Sequence, residues 1–339
     1  MSKILVTGGT GYIGSHTAVE LINEGFEVVI VDNLSNSKID SLDGIEKITG
    51  VRPDFELIDL CDKDKTEALV KKYADIEAII HFAAYKAVGE SVAHPLKYYH
   101  NNLLSLINLL ELMQQYSVPD MVFSSSCTVY GQPEKLPVTE DAPVQAATSP
   151  YGNTKQISEE IIRDTVAASG KIKCIALRYF NPIGAHPSAQ IGELPVGVPN
   201  NLVPFITQTA IGIREQLSVF GNDYNTPDGS CIRDYIHVVD LAKAHVAAVR
   251  RLLENRNGAN FEMFNLGTGQ GVSVLELVNT FEKVSGVKLN YRIVGRRPGD
   301  TEQIWADTAF ANNELGWKAQ STIEETLKSA WDWEKRIRK

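Results

Sequence analysis

The chain is poor in cysteine, in positive charge and in long apolar runs, and each shortage removes a class of function. Cys61, Cys127, Cys174 and Cys231 are the only cysteines in 339 residues, and they form no C-x-x-C pair and no cluster with metal-ligand spacing. No metal site is therefore expected, and reduced thiols in a cytoplasm are the simplest account. The formal net charge of −9 argues against nucleic acid or an anionic membrane as the main partner, and any anionic substrate must be held by local basic groups. No apolar stretch approaches the roughly 20 residues of a membrane span. The opening Met-Ser-Lys-Ile-Leu-Val-Thr-Gly-Gly breaks into glycines too soon for a signal peptide. A soluble protein is expected. Repeats and low-complexity tracts are also missing, while a hydrophobic content of 43% suffices for a large core, divided between two lobes.

What is present begins at the first residues. Lys3 to Thr7 is a short β-branched run of the kind that forms a buried strand, and it leads into Gly8-Gly-Thr-Gly11-Tyr-Ile-Gly14 and then a helical pattern through Ala18, Val19, Leu21 and Ile22. In this strand, turn and helix context the glycines have separate tasks. Gly8 permits the tight turn, Gly11 lets backbone N–H groups approach a pyrophosphate at the positive end of the helix, and Gly14 allows helix to pack on strand. The spacing is G-x-x-G-x-x-G, unlike the common G-x-G-x-x-G. A second strand, Glu27 to Val31, ends at Asp32, eighteen residues after Gly14. A carboxylate there suits the ribose hydroxyls of NAD and would repel the additional phosphate of NADP.

Strand-like and helix-like segments then alternate, with further strands expected at Phe55 to Ile58, Glu77 to Phe82, Met121 to Ser125 and Ile172 to Tyr179. That rhythm predicts an α/β fold: a Rossmann-type doubly wound parallel sheet whose ligands lie beyond the carboxyl ends of its strands. Asp59 and Leu60 follow the third strand, Phe82-Ala83-Ala84-Tyr-Lys86 ends the fourth, and Ser124-Ser-Ser126-Cys-Thr-Val-Tyr-Gly131 ends the fifth. All would line a cofactor cleft. After Asn181 the pattern changes to a Pro- and Gly-rich loop, 182 to 201, and then to mixed short elements. The expected division is a dinucleotide-binding domain over 1–180 and a smaller mixed α/β substrate-binding domain over 181–339, with returns to the first near 218–250.

Tyr151 and Lys155 stand four residues apart in Ser149-Pro-Tyr-Gly-Asn-Thr-Lys155. A helix starting near Pro150, as Ile157, Ile161 and Ile162 suggest, puts phenol and ammonium on one face. A phenol titrates at about 10, and a fixed cation beside it favours the phenolate; lowering that value by roughly three units corresponds to about 4 kcal/mol. Taken alone, the spacing also fits an ordinary exposed helical turn.

With these motifs assembled, the chain resembles the extended short-chain dehydrogenase/reductase superfamily and, within it, the UDP-glucose 4-epimerase family. The more specific stretches are Ser124 to Gly131, Arg178-Tyr-Phe-Asn-Pro-Ile-Gly-Ala185, Asn200-Asn-Leu-Val-Pro204, Arg233-Asp-Tyr-Ile-His-Val-Val-Asp-Leu241 and Arg297-Pro-Gly-Asp300. The resemblance implies reversible interconversion of UDP-galactose and UDP-glucose through a transient 4-keto sugar, with NAD tightly retained. It also implies a cytoplasmic homodimer, in which the apolar helix through Leu103, Leu106, Leu110 and Met113 could pack with the one after Pro150 across a two-fold axis. By the same resemblance Tyr151 is the acid–base residue, Ser126 relays its proton, and Lys155 holds the nicotinamide ribose and lowers the Tyr151 pKa. Tyr12, Ile13, Asn33, Asn36, Ser37, Lys86, Asn101, Ser124 and Tyr179 join the cofactor set. Lys86 also faces substrate, with Phe180, Asn181, Asn200, Asn201, Leu202, Ser218, Phe220, Tyr235 and Asp300, while Arg233 and Arg297 clamp the pyrophosphate through guanidinium forks. Asn101 could instead simply start its helix.

Two departures matter. Cys127 stands where the family suggests alanine, and it reads either as a small buried side chain or as a thiol placed as in GDP-fucose synthase. Ile304 is intermediate in bulk at a position that influences tolerance for an N-acetyl group, which leaves UDP-N-acetylhexosamine turnover or dual specificity open. A sugar-nucleotide 4,6-dehydratase would carry an Asp-Glu pair where Cys127 and Thr128 stand. A net dehydrogenase would need an exchangeable cofactor, and a redox-sensing Rossmann protein would have no use for Ser126, Tyr151 and Lys155 together.

Overall fold

The β-branched runs pair into one parallel sheet. In the computed structural model, which describes residues 1–297 and 300–339, its strands are β1 (Lys3–Thr7), β2 (Glu27–Asp32), β3 (Asp54–Leu57), β4 (Ile76–His81), β5 (Asp120–Ser126) and β6 (Lys173–Tyr179). Each lies within a residue or so of its expected bounds. Pro298 and Gly299, the middle of the Arg297 to Asp300 motif, lie outside the described residues.

Between the strands run α1 (Tyr12–Asn23), α2 (Ser41–Thr49), α3 (Lys63–Lys72), α4 (Val88–Ala93), α5 (Pro95–Tyr116) and α6 (Pro150–Ser169). Further on are β7 (Asn181–Ile183), α7 (Leu202–Ala210), β8 (Leu217–Phe220), β9 (Ile232–Arg233), β10 (Tyr235–His237), α8 (Val238–Leu253) and β11 (Phe261–Leu266). The chain continues through β12 (Val272–Ser273), α9 (Val274–Ser285), β13 (Tyr291–Val294), β14 (Gln303–Ile304) and α10 (Ile323–Ile337). Among the described residues no helix is long and apolar enough to cross a membrane.

The sheet order is β11-β6-β5-β4-β1-β2-β3. β1 pairs in parallel with both β2 and β4, Val6 lying opposite Ile30 and Ile80, so the order reverses at β1 and opens a crevice at the strand ends. Alternation sends Ile4 and Val6 into a core shared with α1, α2 and α8, and Leu5 into the opposite core shared with α3, α5 and α6. The seventh strand, β11, joins the sheet beside β6 with Phe261 opposite Cys174. Of the 218–250 stretch, Val238–Leu253 packs on the sheet as α8; Leu217–Phe220 pairs instead with Tyr291–Val294.

Two helix starts differ in how clearly they were marked. At α6, Pro150 occupies the first turn and the Ser149 hydroxyl accepts from the Gly152 N–H at 3.1 Å, a cap that the sequence announces. Asn101, read as a possible helix start, lies well inside α5, which begins at Pro95. Leu106, Leu110 and Met113 of α5 are spent on the intramolecular core, so they are not free to face a second copy. Ile107, on another face of the same helix, is partly exposed.

Close packing of α1 on the turn after β1 depends on Gly14. A Cβ there would meet the Gly8 carbonyl oxygen at 2.3 Å and the Gly9 Cα at 2.8 Å, both rigid backbone atoms. Gly14→Ala is expected to lower unfolding stability by about 1–3 kcal/mol, as overpacking of a tight site does. Denaturant titration checks this, and an unchanged midpoint would mean the turn relaxes freely.

Candidate active site

The crevice at the strand ends is a cavity of about 750 Å³. Every residue of the expected cofactor set lines it, from the Gly8 turn through Asp32, Asp59 and Phe82 to Tyr179. Gly8 holds φ +69° and a Cβ there would lie 2.8 Å from Ala83 N, so the turn is closed to other side chains. Among the described residues no side chain caps α1, whose N-cap is Gly11; its first N–H groups face the crevice as an anion site. The Asp32 carboxylate accepts from Leu34 N at 2.9 Å, Ser37 Oγ at 3.0 Å and Thr10 N at 3.3 Å, which ties the second strand end to the glycine turn. Asn33 donates to Asp59 at 3.2 Å, Tyr12 donates to the Gly184 carbonyl at 2.7 Å, and Asn101 donates to Asn102 at 2.9 Å.

Ser126, Tyr151 and Lys155 meet on one wall of this cavity. The Lys155 ammonium donates to the Ser124 carbonyl at 2.6 Å, and the Ser124 hydroxyl shares a 2.6 Å hydrogen bond with the Tyr179 phenol. Lys155 is 5% exposed, and burial pushes its ammonium down to about 8. Tyr151 shows the same dominance of desolvation. Burial drives its phenol well above the ordinary value, nearby Tyr179 adds to the rise, and the Ser126 hydroxyl only partly opposes it. The Lys155 ammonium is aimed at the Ser124 carbonyl, and desolvation of the phenolate dominates.

The expected substrate residues fall into two groups. Phe180, Asn181, Asn200 and Asn201 line the cavity beside Lys86, Ser126 and Tyr151. Leu202, Ser218, Phe220, Arg233, Tyr235, Arg297, Asp300 and Ile304 do not; of these Phe220, Arg233, Arg297 and Asp300 form a cluster of their own. There the Asp300 carboxylate accepts from Arg297 at 2.6 Å and faces Arg233 at 3.8 Å, and the Arg297 guanidinium lies 5.6 Å from the Phe220 ring. Ser218 stands on β8 opposite Arg292, and Leu202 opens α7 against the C-terminal core. Tyr235 is buried and its phenol is pushed up by desolvation, with Arg233 opposing. Ile304 lies beside Arg233 in the sheet and packs with Phe180, Tyr130 and Cys127. Cys127 bridges the groups, since it lines the cavity and the Arg233 charge acts on it; burial nonetheless pushes its thiol up to about 12.

Several cavity residues were not read as site residues from the sequence, among them Thr10, Glu193 and Trp333. Thr10, within the glycine turn, bonds Ser37 at 2.8 Å and was legible as part of that motif. The Glu193 carboxylate accepts from Asn201 at 2.6 Å and faces Lys86 at 3.5 Å. Trp333, on α10, donates to the Glu193 carbonyl at 2.9 Å, a contact that only tertiary structure reveals.

A family model described as GDP-mannose 4,6 dehydratase matches residues 5–330. A UDP-glucose 4-epimerase of Bacillus subtilis is 55% identical over 331 residues, covering 98% of this chain and 96% of that one. The crystal structure of UDP-glucose 4-epimerase from Bifidobacterium longum in complex with NAD+ and UDP superposes with a TM-score of 0.95 at 44% identity, covering 99% of each chain. That of the Stenotrophomonas maltophila enzyme with bound NAD and formylated UDP-arabinopyranose gives 0.96 at 47% identity, covering 100% of this chain and 99% of that one. With Cys127 and Thr128 where a dehydratase would need carboxylates, and with this likeness along its whole length, the chain belongs to the UDP-glucose 4-epimerase family of the extended short-chain dehydrogenase/reductase superfamily.

Proposed function

We propose that the protein interconverts UDP-galactose and UDP-glucose by inversion at C4 through a transient 4-keto sugar, with NAD retained as a prosthetic group. The convergence of Ser126, Tyr151 and Lys155 on the cavity that the glycine turn closes carries this reading, with the full-length likeness behind it. The residues fit the cofactor: a cradle that a Cβ at Gly8 would fill, a helix N-terminus without a side-chain cap and a carboxylate at Asp32. Gly8, Gly11, Tyr12, Ile13 and Gly14 would receive the pyrophosphate, Asp32 a ribose, and Lys155 the nicotinamide ribose. When bound, NAD supplies reversible acceptance of a hydride from C4 and, on its oxidised ring, a positive charge.

The protein's own part is proton handling and grip. Tyr151 takes the proton of the 4-hydroxyl and returns it after the ketone has turned over, with Ser126 hydrogen-bonded to the same oxygen. Because burial holds the phenol protonated, Tyr151 needs positive charge beside it, which stabilises the phenolate for the base half and eases proton release in the acid half. Arg233 and Arg297 would exchange Asp300 for the pyrophosphate, and Asn181, Asn200, Asn201, Leu202, Ser218, Phe220 and Tyr235 would complete the UDP site. Phe180 and Ile304 would border the sugar. On this reading residues 1–180, with α8 and β11, hold the dinucleotide, and most of the remainder holds UDP-sugar. The four free cysteines suit a cytoplasmic protein, and a homodimer would use the exposed faces of α5 and α6.

Purified protein given UDP-galactose without added NAD is expected to form UDP-glucose, measured by chromatography of the nucleotide sugars. No conversion by protein shown to carry dinucleotide would reject the epimerase reading. UDP-N-acetylglucosamine offered in parallel tests whether Ile304 admits the larger substituent; turnover within about tenfold of the UDP-glucose rate would establish dual specificity. Tyr151→Phe is expected to lower kcat by about 10²–10⁴-fold with dinucleotide content retained, the range for loss of a general acid–base group. Undiminished turnover in that variant would remove Tyr151 from the mechanism.

A further inference from the structure

Between Ser124 and Ser126, both lining the cavity, Ser125 is completely buried and turned the other way, toward α6. Its hydroxyl donates to Glu159 Oε1 at 2.5 Å. Opposite Ser125 in the sheet register stands Arg178, which grips the same carboxylate with Nε at 2.9 Å and Nη2 at 2.5 Å. Arg178 Nη1 continues to the Tyr130 phenol at 2.9 Å, and that phenol donates to Asn265 at 2.7 Å. Glu159 lies one helical turn beyond Lys155, so both project from the same face of α6. A buried ion pair is seldom required for stability, because an apolar pair of similar size usually packs as well. Its charge needs another reason, and the neighbour of Lys155 provides one.

We infer that Glu159 is a positioning residue that keeps Lys155 charged and directed at the Ser124 carbonyl, while Arg178 and Ser125 hold the carboxylate in place. The other groups around Lys155 bring no negative charge. His81 on β4 is buried, neutral and bonded to Thr7 at 2.8 Å, the Phe123 ring lies 4.9 Å from the ammonium, and the Tyr151 and Tyr179 phenols stay protonated. Glu159 therefore supplies the anion that offsets burial of the ammonium. The inference rests on the epimerase reading for its consequence in turnover, but the charge state of Lys155 can be read without turnover.

The experiment follows the 13Cε resonance of Lys155 in lysine-labelled protein against pH, assigned by its loss in Lys155→Arg, beside the pH profile of kcat for UDP-galactose. In Glu159→Gln both midpoints are expected to move toward acid by about one pH unit, because the charged amine loses its stabilising anion. Glu159→Asp is expected to restore most of the shift, and Ser125→Ala, which leaves Arg178 holding the carboxylate, to move both midpoints by less than Glu159→Gln does. If Glu159→Gln does not yield folded protein, Glu159→Gln combined with Arg178→Met removes both buried charges, and a smaller shift in the same direction is expected because loss of the Arg178 cation opposes it. A resonance midpoint unchanged in the folded variant would overturn the inference, whatever happens to kcat. Absence of turnover in the unsubstituted protein would reject the epimerase reading alone.

Discussion

Parallel pairing around β1 is the constraint on which everything else rests. Because β4, β1 and β2 run the same way in fixed register, Thr7, Asp32 and His81 arrive at one edge of the sheet, and β5 and β6 bring Ser126 and Tyr179 to the same edge. The order reversal at β1 leaves that edge open where the helices diverge. A one-residue slip in any strand would exchange its cavity-facing and core-facing side chains. At β5 it would turn Ser125 to the cavity and take Ser124 and Ser126 from it. The chemistry of the site is thus conditional on the hydrophobic alternation of Ile4, Leu5 and Val6, which commits each face of the sheet to its own core.

Burial then sets the electrostatics, and it works against both charged partners at once. It disfavours the phenolate of Tyr151 and the ammonium of Lys155, each unit of displacement being worth about 1.4 kcal/mol. A site that must move a proton in both directions has to overcome this opposition. Desolvation keeps the phenol protonated but reluctant to release its proton, and positive charge brought alongside lowers that proton affinity, which eases the release and populates the phenolate that accepts the next proton. The same dryness strengthens every remaining interaction, including that between Lys155 and Glu159.

Much of this was legible because it follows from local patterns. The glycine turn, Asp32, six strands and the capped start of α6 each carry a signal confined to a few consecutive residues, and the whole cofactor set lines one cavity. What was not legible shares a cause of another kind. Whether Lys155 lowers the Tyr151 pKa depends on where its ammonium points, and the Ser124 carbonyl that captures it lies thirty-one residues away. Asn101 looked like a helix start because the Pro95 signal lies about two turns upstream of the apolar repeat. Glu193 and Trp333 meet across one hundred and forty residues, and β11 follows a long excursion through the second half of the chain. Spacing in sequence cannot report such meetings.

The family model that matches most of the chain is described for a dehydratase, so the distinction between elimination and inversion has to be drawn at the reacting carbons. Elimination needs a group that removes a proton from carbon and another that protonates the departing hydroxyl, and both must titrate within reach of neutral pH. The positions available here offer a hydroxyl at Thr128 and, at Cys127, a thiol pushed up to about 12 by burial. Neither meets that requirement. Beside Cys127 the wall continues through Phe180, backed by Ile304 in an apolar cluster, while the guanidinium groups of Arg233 and Arg297 lie with Asp300. The charged anchors of the proposed UDP site thus lie outside the lining of the cavity that holds the Ser126 and Tyr151 hydroxyls. A ligand held firmly at its charged end and loosely at its neutral end is free to present either face of a planar ketone, which inversion at a single carbon requires and elimination does not.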